Sequence, residues 1–154
     1  MTLLQRIKDL VRSRSIHVSY VDVGSCNGCD IEILATLAPK FDAERFGIIN
    51  IGDPKQADVL VVTGPANRRN ARVLKNLYDQ MPDVKVVMVI GSCGSTGGIF
   101  HNCPNVLGGV DKVIPVDVYV PGCAARPEQI IDGFVMALQK LGEKSSKPEK
   151  EKGA

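Results

Sequence analysis

Residues 84–98 read V-K-V-V-M-V-I-G-S-C-G-S-T-G-G. The run at 84–90, rich in Val and Ile, shows little of the apolar–polar alternation of a strand wetted on one face. It predicts a strand buried on both faces of a parallel sheet. The run stops at Gly91 and gives way to a loop of small residues around Cys93. The same design recurs on both sides. Residues 16–23, I-H-V-S-Y-V-D-V, predict a strand that leads into G-S-C-N-G-C-D (24–30), with Cys26 and Cys29. Strands are predicted at 46–51, 58–63 and 113–120, the last entering V-P-G-C-A-A-R-P (120–127), with Cys123.

Helices are predicted between these strands. One spans 30–38 and is stopped by Pro39; a second spans 70–81, with Ala71, Leu74, Leu77 and Met81 at helical spacing. A third spans 127–141, with Pro127 suited to its first turn and Gly142 to its C-cap. Strands alternating with helices imply an α/β domain, a flavodoxin-like open parallel sheet with helices on both faces. Ligands of such sheets gather outside the carboxyl ends of the strands. Each cysteine loop follows a predicted strand, so Cys26, Cys29, Cys93 and Cys123 are expected at one edge of the sheet.

The chain has 154 residues, 44% hydrophobic and 23% charged, which suits one globular domain. Its net charge of +2, without a large basic block, argues against nucleic acid as a partner. Aromatics make up 5% and tryptophan is absent, so base-stacking or sugar-binding platforms are not expected. No apolar run approaches the roughly 20 residues that span a bilayer, and the first residues lack the apolar core of a signal peptide. The chain therefore reads as cytoplasmic, where thiols serve metals or catalysis more than disulfides.

Three segments are expected. Residues 1–14 form an amphipathic helix, with Leu3, Leu4, Ile7, Leu10 and Val11 on one stripe and Arg6, Lys8, Arg12 and Arg14 among them. Such a helix packs against the body or lies on a membrane or partner surface. Residues 15–142 form the α/β domain. Residues 143–154, E-K-S-S-K-P-E-K-E-K-G-A, are polar and of mixed charge and are expected to be a disordered tail.

The spacing C-x-x-C lets two thiolates reach one metal group from a single loop. Gly24 and Gly28 permit its turns, and the helix after Cys29 turns its positive end toward a negative ligand. Gly91, Gly94, Gly97 and Gly98 leave room around Cys93 for a bulky group, and Arg126 is placed to balance negative charge near Cys123. Two other chemistries use the same residues. A C-x-x-C between strand and helix also suits a thioredoxin-like dithiol, and four thiolates suit a structural zinc ion. The two single, distant cysteines in their own Gly-rich loops favour an iron–sulfur cluster over both. Cys103 has no close partner in the sequence and reads as a packing residue. His17 and His101 read as strand and loop residues, and Asp117 as a capping or charge-balancing group. Glu32, just past the first loop, is a candidate proton carrier or a capping and charge-balancing group.

These segments resemble a known family. G-S-C-N-G-C-D-I-E (24–32), F-D-A-E-R-F-G (41–47), A-D-V-L-V-V-T-G-P (57–65), G-S-C-G-S-T-G-G-I-F (91–100) and G-V-D-K-V-I-P-V-D-V-Y-V-P-G-C (109–123), followed by A-R-P-E (125–128), carry the likeness. The chain resembles the small subunit of energy-converting, membrane-associated [NiFe] hydrogenases of the Ech type. That subunit is similar to the cluster-bearing subunit of respiratory complex I beside the quinone site. The resemblance implies that Cys26, Cys29, Cys93 and Cys123 ligate one [4Fe-4S] cluster proximal to the active site of a large subunit. It places Glu32 on a possible proton path and Arg45 near the same interface, with no other catalytic residue.

The implied function is that of an electron-transfer small subunit of an oxidoreductase complex. It would relay electrons from a ferredoxin-like cluster-bearing subunit to nickel and iron on the large subunit for reversible proton reduction. Integral membrane subunits would hold this hetero-oligomer at the cytoplasmic side of the cell membrane, with the chain peripheral. The complex I subunit has two adjacent cysteines where this chain has C-N-G-C, which favours the hydrogenase type. The alternative is a related complex I-like oxidoreductase acting on quinone or sulfur compounds. Where the family has C-P-P-R-P-E, this chain has C-A-A-R-P-E (123–128), which removes no ligand.

Overall fold

The computed structural model describes residues 15–146. Strand β1 (Ile16–Asp22) leads to helix α1 (Gly28–Leu37), strand β2 (Ile48–Asn50), strand β3 (Val59–Thr63) and a short strand β4 (Ala66–Asn67). Helix α2 (Arg68–Gln80) precedes β5 (Val86–Ile90), a short helix α3 (Ser92–Thr96) and β6 (Val106–Gly108). Strand β7 (Val118–Val120) and helix α4 (Pro127–Ser146) complete the order. The predicted helix at 1–14 and residues 147–154 of the predicted tail lie outside the described residues.

One sheet has the order β2-β1-β3-β5-β7, with every pair parallel. Numbered within that sheet alone the order is 2-1-3-4-5, the flavodoxin-like arrangement. The central strands β3 and β5 are buried along their whole length, as their unbroken apolar runs require. Alternate side chains divide between two cores. Val59, Val61, Val86, Met88 and Ile90 pack with Ile33 of α1 and with Ile130, Phe134 and Ala137 of α4. Leu60, Val62, Val87 and Val89 face the other way, toward Leu74 of α2, Met81, Val110 and Ile114. Helices thus cover both faces.

Several predicted boundaries move, and the strand expected at 84–90 begins only at Val86. The strand expected at 113–120 is a strand only over Val118–Val120, and a 3-10 turn at Val110–Lys112 precedes it. Pro115 has no N–H for a ladder, so pairing with β5 begins only beyond it. The second strand shortens because Ala43–Phe46 forms a 3-10 turn. Gly142 does not cap the last helix: α4 continues to Ser146 and absorbs the first residues of the predicted tail. The small antiparallel pair β4–β6 and helix α3 were not anticipated from sequence.

Candidate metal centre

Three loops at the carboxyl edge of the sheet carry the four predicted thiols, and hydrogen bonds tie the loops together. Gly91 N–H donates to Val120 C=O at 2.8 Å, and Ser92 N–H donates to Gly122 C=O at 2.8 Å. These bonds hold the Cys93 loop against the Cys123 loop. On the other side, Val23 N–H donates to Thr63 C=O at 3.0 Å, seating the exit of β1 on the end of β3.

Glycines make this packing possible. Gly91 has φ +91°, and a Cβ there would stand 2.6 Å from Cys29 Sγ. At Gly98, with φ +52°, a Cβ would stand 3.1 Å from Cys93 Sγ. Both positions combine a backbone that suits glycine with a sulfur in the place of a side chain. A Cβ at Gly28 would touch Cys26 Sγ at 3.5 Å and Ala124 Cβ at 3.6 Å, so the first and third loops also meet.

Cys29 and Cys93 are half-buried, whereas Cys26 and Cys123 are exposed. Burial pushes the Cys93 thiol up, and the neighbouring Cys123, Cys26 and Cys29 push it further. The Cys29 thiol is also raised, first by burial, while the Ala125 N–H donates to its sulfur and opposes the rise; Asp30, Cys26 and Cys123 add to it. Cys29 and Cys93, with the other two sulfurs in electrostatic reach, resist ionisation unless a cation sits beside them. Cys103 is an exposed residue of a separate turn, its N–H bonded to Phe100 C=O at 3.0 Å.

Among the described residues, no three His, Cys, Asp or Glu side chains close around the position of a single metal ion. One zinc ion draws thiolates to about 2.3 Å. A cubane holds its four thiolates farther apart, on separate irons. The four-thiol donor set, with glycines facing two of the sulfurs, suits a thiolate-held metal group.

The other predicted residues divide between the two edges of the sheet. Glu32 is half-buried on α1, and its carbonyl accepts the Thr36 hydroxyl at 2.8 Å. Arg45, expected near the large-subunit interface, is instead exposed in the turn that enters β2 at the amino edge, its guanidinium 5.0 Å from the centre of the Phe46 ring. Arg126 is exposed and its N–H donates to Gln129 Oε1 at 3.1 Å, fixing the first turn of α4. His101 is exposed and bonded to Asn102, while His17 lies at the opposite edge beside Asp58. Asp117 also lies at that opposite edge, paired with Lys144 at 2.7 Å.

Sequence reasoning missed one feature. Asp30, read as the residue that opens a helix, is the acceptor of a hydroxyl network. Ser25 Oγ donates to its Oδ2 and Thr63 Oγ1 donates to Oδ1 at 2.7 Å. Burial would raise this carboxyl, but the hydroxyls of Ser25, Tyr20 and Thr63 outweigh it and hold the group below its ordinary value. Tyr20 and Thr63 lie on separate strands, so no local motif announces them.

The family described as NADH ubiquinone oxidoreductase, 20 Kd subunit, matches residues 26–137, from the first cysteine of the cradle into α4. The chain belongs to that family. Its relatives are subunits of oxidoreductase complexes. It is 49% identical over 141 residues to the probable membrane-bound hydrogenase subunit mbhJ of Pyrococcus furiosus, covering 90% of this chain and 84% of that one. It is 48% identical over 143 residues to formate hydrogenlyase subunit 7 of Escherichia coli, covering 93% of this chain and 54% of the relative. A chain in the solved membrane-bound sulfane sulfur reductase, an archaeal respiratory membrane complex, superposes with a TM-score of 0.77 at 33% identity. That match covers 89% of this chain and 76% of the other. Like these family members the chain is an oxidoreductase-complex subunit, and no described helix is long and apolar enough to cross a membrane.

Proposed function

We propose that this chain is the electron-transfer small subunit of a ferredoxin-dependent [NiFe] hydrogenase. In this reading Cys26, Cys29, Cys93 and Cys123 hold one [4Fe-4S] cluster, which supplies one-electron transfer when bound. The observation that carries the reading is the cradle: thiols from three loops share one mouth, with glycine at 91 and 98, where a side chain would crowd sulfur. The chain's own contribution is position and environment. The Ala125 N–H is aimed at Cys29 Sγ, and hydrogen bonds to sulfur tune such groups.

The rim of the mouth supports a partner there. Ile31 and Leu34 on α1 are 64% and 65% exposed, and Ile99, beyond Cys93, is 86% exposed. Apolar side chains left in water around a site mark a protein contact, and a large subunit bearing nickel and iron is the expected occupant. Glu32, on the same helix, is the candidate for proton passage across that contact. A ferredoxin-like cluster-bearing subunit and integral membrane subunits complete the proposed hetero-oligomer. The chain then lies peripherally at the cytoplasmic side of the membrane.

The C-N-G-C loop and the likeness to hydrogenase subunits favour hydrogen as the final product. The likeness to the sulfane sulfur reductase chain supports a second reading, a complex I-like oxidoreductase acting on a sulfur compound or quinone. Purifying the tagged chain anaerobically with its partners separates the two. The hydrogenase reading expects nickel in the complex and hydrogen evolution from reduced ferredoxin. A complex without nickel that reduces sulfane sulfur or quinone would replace it with the second reading.

A further inference from the structure

Asp30 lies one residue beyond Cys29 in the first turn of α1, and its two oxygens face two different parts of the molecule. Oδ2 receives the hydroxyl of Ser25, from the loop before Cys26. Oδ1 receives the hydroxyl of Thr63, fully buried at the end of β3. The Tyr20 hydroxyl stands 3.2 Å from Thr63 Oγ1. A threonine hydroxyl has one proton, and with that of Thr63 on Asp30 the Tyr20 hydroxyl turns its own toward Thr63 Oγ1 and the Asp30 carboxylate behind it.

The opposite end of the loop is tied as well. Asp22 Oδ1 accepts the N–H groups of Gly24 and Ser25 at 2.7 and 2.6 Å, and Ser25 Oγ accepts the Asn27 N–H at 3.1 Å. Ser25 is therefore the node through which both carboxylates grip the first cysteine loop. Among the described residues no lysine or arginine forms an ion pair with Asp30. Its donors are neutral hydroxyls, so they orient its charge without cancelling it.

We propose that Asp30 is a positioning residue that anchors the Cys26–Cys29 loop to β3 and keeps a fixed negative charge beside the cradle, lowering the cluster's reduction potential. The inference rests on the cluster reading above. Adding an electron to a thiolate-bound cluster makes it more negative, and a nearby uncompensated carboxylate opposes that step. Tyr20, at the outer end of the hydroxyl chain, directs a positive dipole end toward the carboxylate and offsets part of its field.

The test uses the full chain, reconstituted anaerobically with ferrous iron and sulfide and titrated with dithionite while its EPR signal is followed. Asp30→Asn keeps an acceptor of the same shape and removes the charge. It should make reduction easier by on the order of tenfold in the equilibrium, about 59 mV more positive for one electron. Tyr20→Phe keeps the charge and removes the offsetting dipole, so its potential should move the other way, to more negative values. A packing defect alone would not give opposite signs. An unchanged or lower potential in Asp30→Asn overturns the proposal, as does a positive shift in Tyr20→Phe. If Asp30→Asn takes up no cluster, the sign in Tyr20→Phe decides. A wild-type chain that takes up no iron and sulfide overturns the cluster reading itself, which distinguishes the two failures.

Discussion

At the amino ends of the sheet strands, Asp117 accepts the Val87 N–H at 2.9 Å and lies 2.7–2.8 Å from Lys144 Nζ through its two oxygens. Lys144 also donates to Lys85 C=O at 2.9 Å, and Lys140 donates to Asp117 C=O. Asp58, almost buried, receives the His17 N–H at 3.3 Å. At the carboxyl ends the pattern reverses. Four thiols share a half-open mouth, the backbone turns through positive φ at Gly91, Gly97, Gly98 and Gly122, and apolar side chains stand exposed around the rim. At the first end the buried and half-buried carboxylates are paired within the chain and serve the fold. The other leaves donor atoms and apolar surface for what the chain binds.

Cysteine substitutions should break this contrast most completely. Replacing Cys26, Cys29, Cys93 or Cys123 by Ser should abolish or distort the EPR signal of the reconstituted chain and lower its iron content. Cys103→Ser, in the separate turn, should leave both unchanged; loss of the signal there would show that the wrong four cysteines had been chosen.

Next in size is Gly91→Ala. The new methyl would meet Cys29 Sγ at 2.6 Å on a backbone with φ +91°. Cluster uptake should fall severely while far-UV circular dichroism keeps its α/β shape. Full uptake would mean the cradle is looser than its geometry indicates.

At the opposite end, Asp117→Ala should act on stability and not on uptake. It leaves the buried Val87 N–H without its side-chain acceptor, a loss of about 1–3 kcal/mol. Urea denaturation measures it, and iron content should match wild type. Smaller still, and opposite in sign, is Gly142→Ala. No atom lies within 4 Å of the added methyl, and the site is inside α4. A glycine in a helix costs about 0.5–1 kcal/mol relative to alanine, so the variant should be more stable by about that amount. Two glycine-to-alanine changes, one at each end of the sheet, should thus move the protein in opposite directions.

The sequence made the sheet and the thiol edge legible for different reasons. Val59–Thr63 and Val86–Ile90 announce central strands because burial on both faces requires unbroken apolar runs. The meeting of Cys26, Cys29, Cys93 and Cys123 follows from parallel topology, which sends every strand's exit to one edge. Residues 113–117 misled because Val113, Ile114 and Val116 look like strand residues, while Pro115 denies them a ladder. Helix α3 was hidden because Ser92–Thr96 contains a glycine and residues of weak helix propensity. The Asp30 network was hidden because its hydroxyl from Thr63 comes from 33 residues away, a pairing that periodicity does not encode. Gly142 misled in the other direction: a glycine near a helix end suggests a cap, yet the contacts of Lys144 with Asp117 and Lys85 carry the helix past it.

The most direct test of the central claim is metal and sulfide analysis of the full chain purified under strict anaerobiosis, with EPR of the reduced protein. A chain whose four thiols hold one cubane should contain about four iron and four labile sulfide per molecule, with the spectrum of a reduced [4Fe-4S] cluster. About one zinc per chain with no labile sulfide would contradict it and turn the cradle into a structural metal knot.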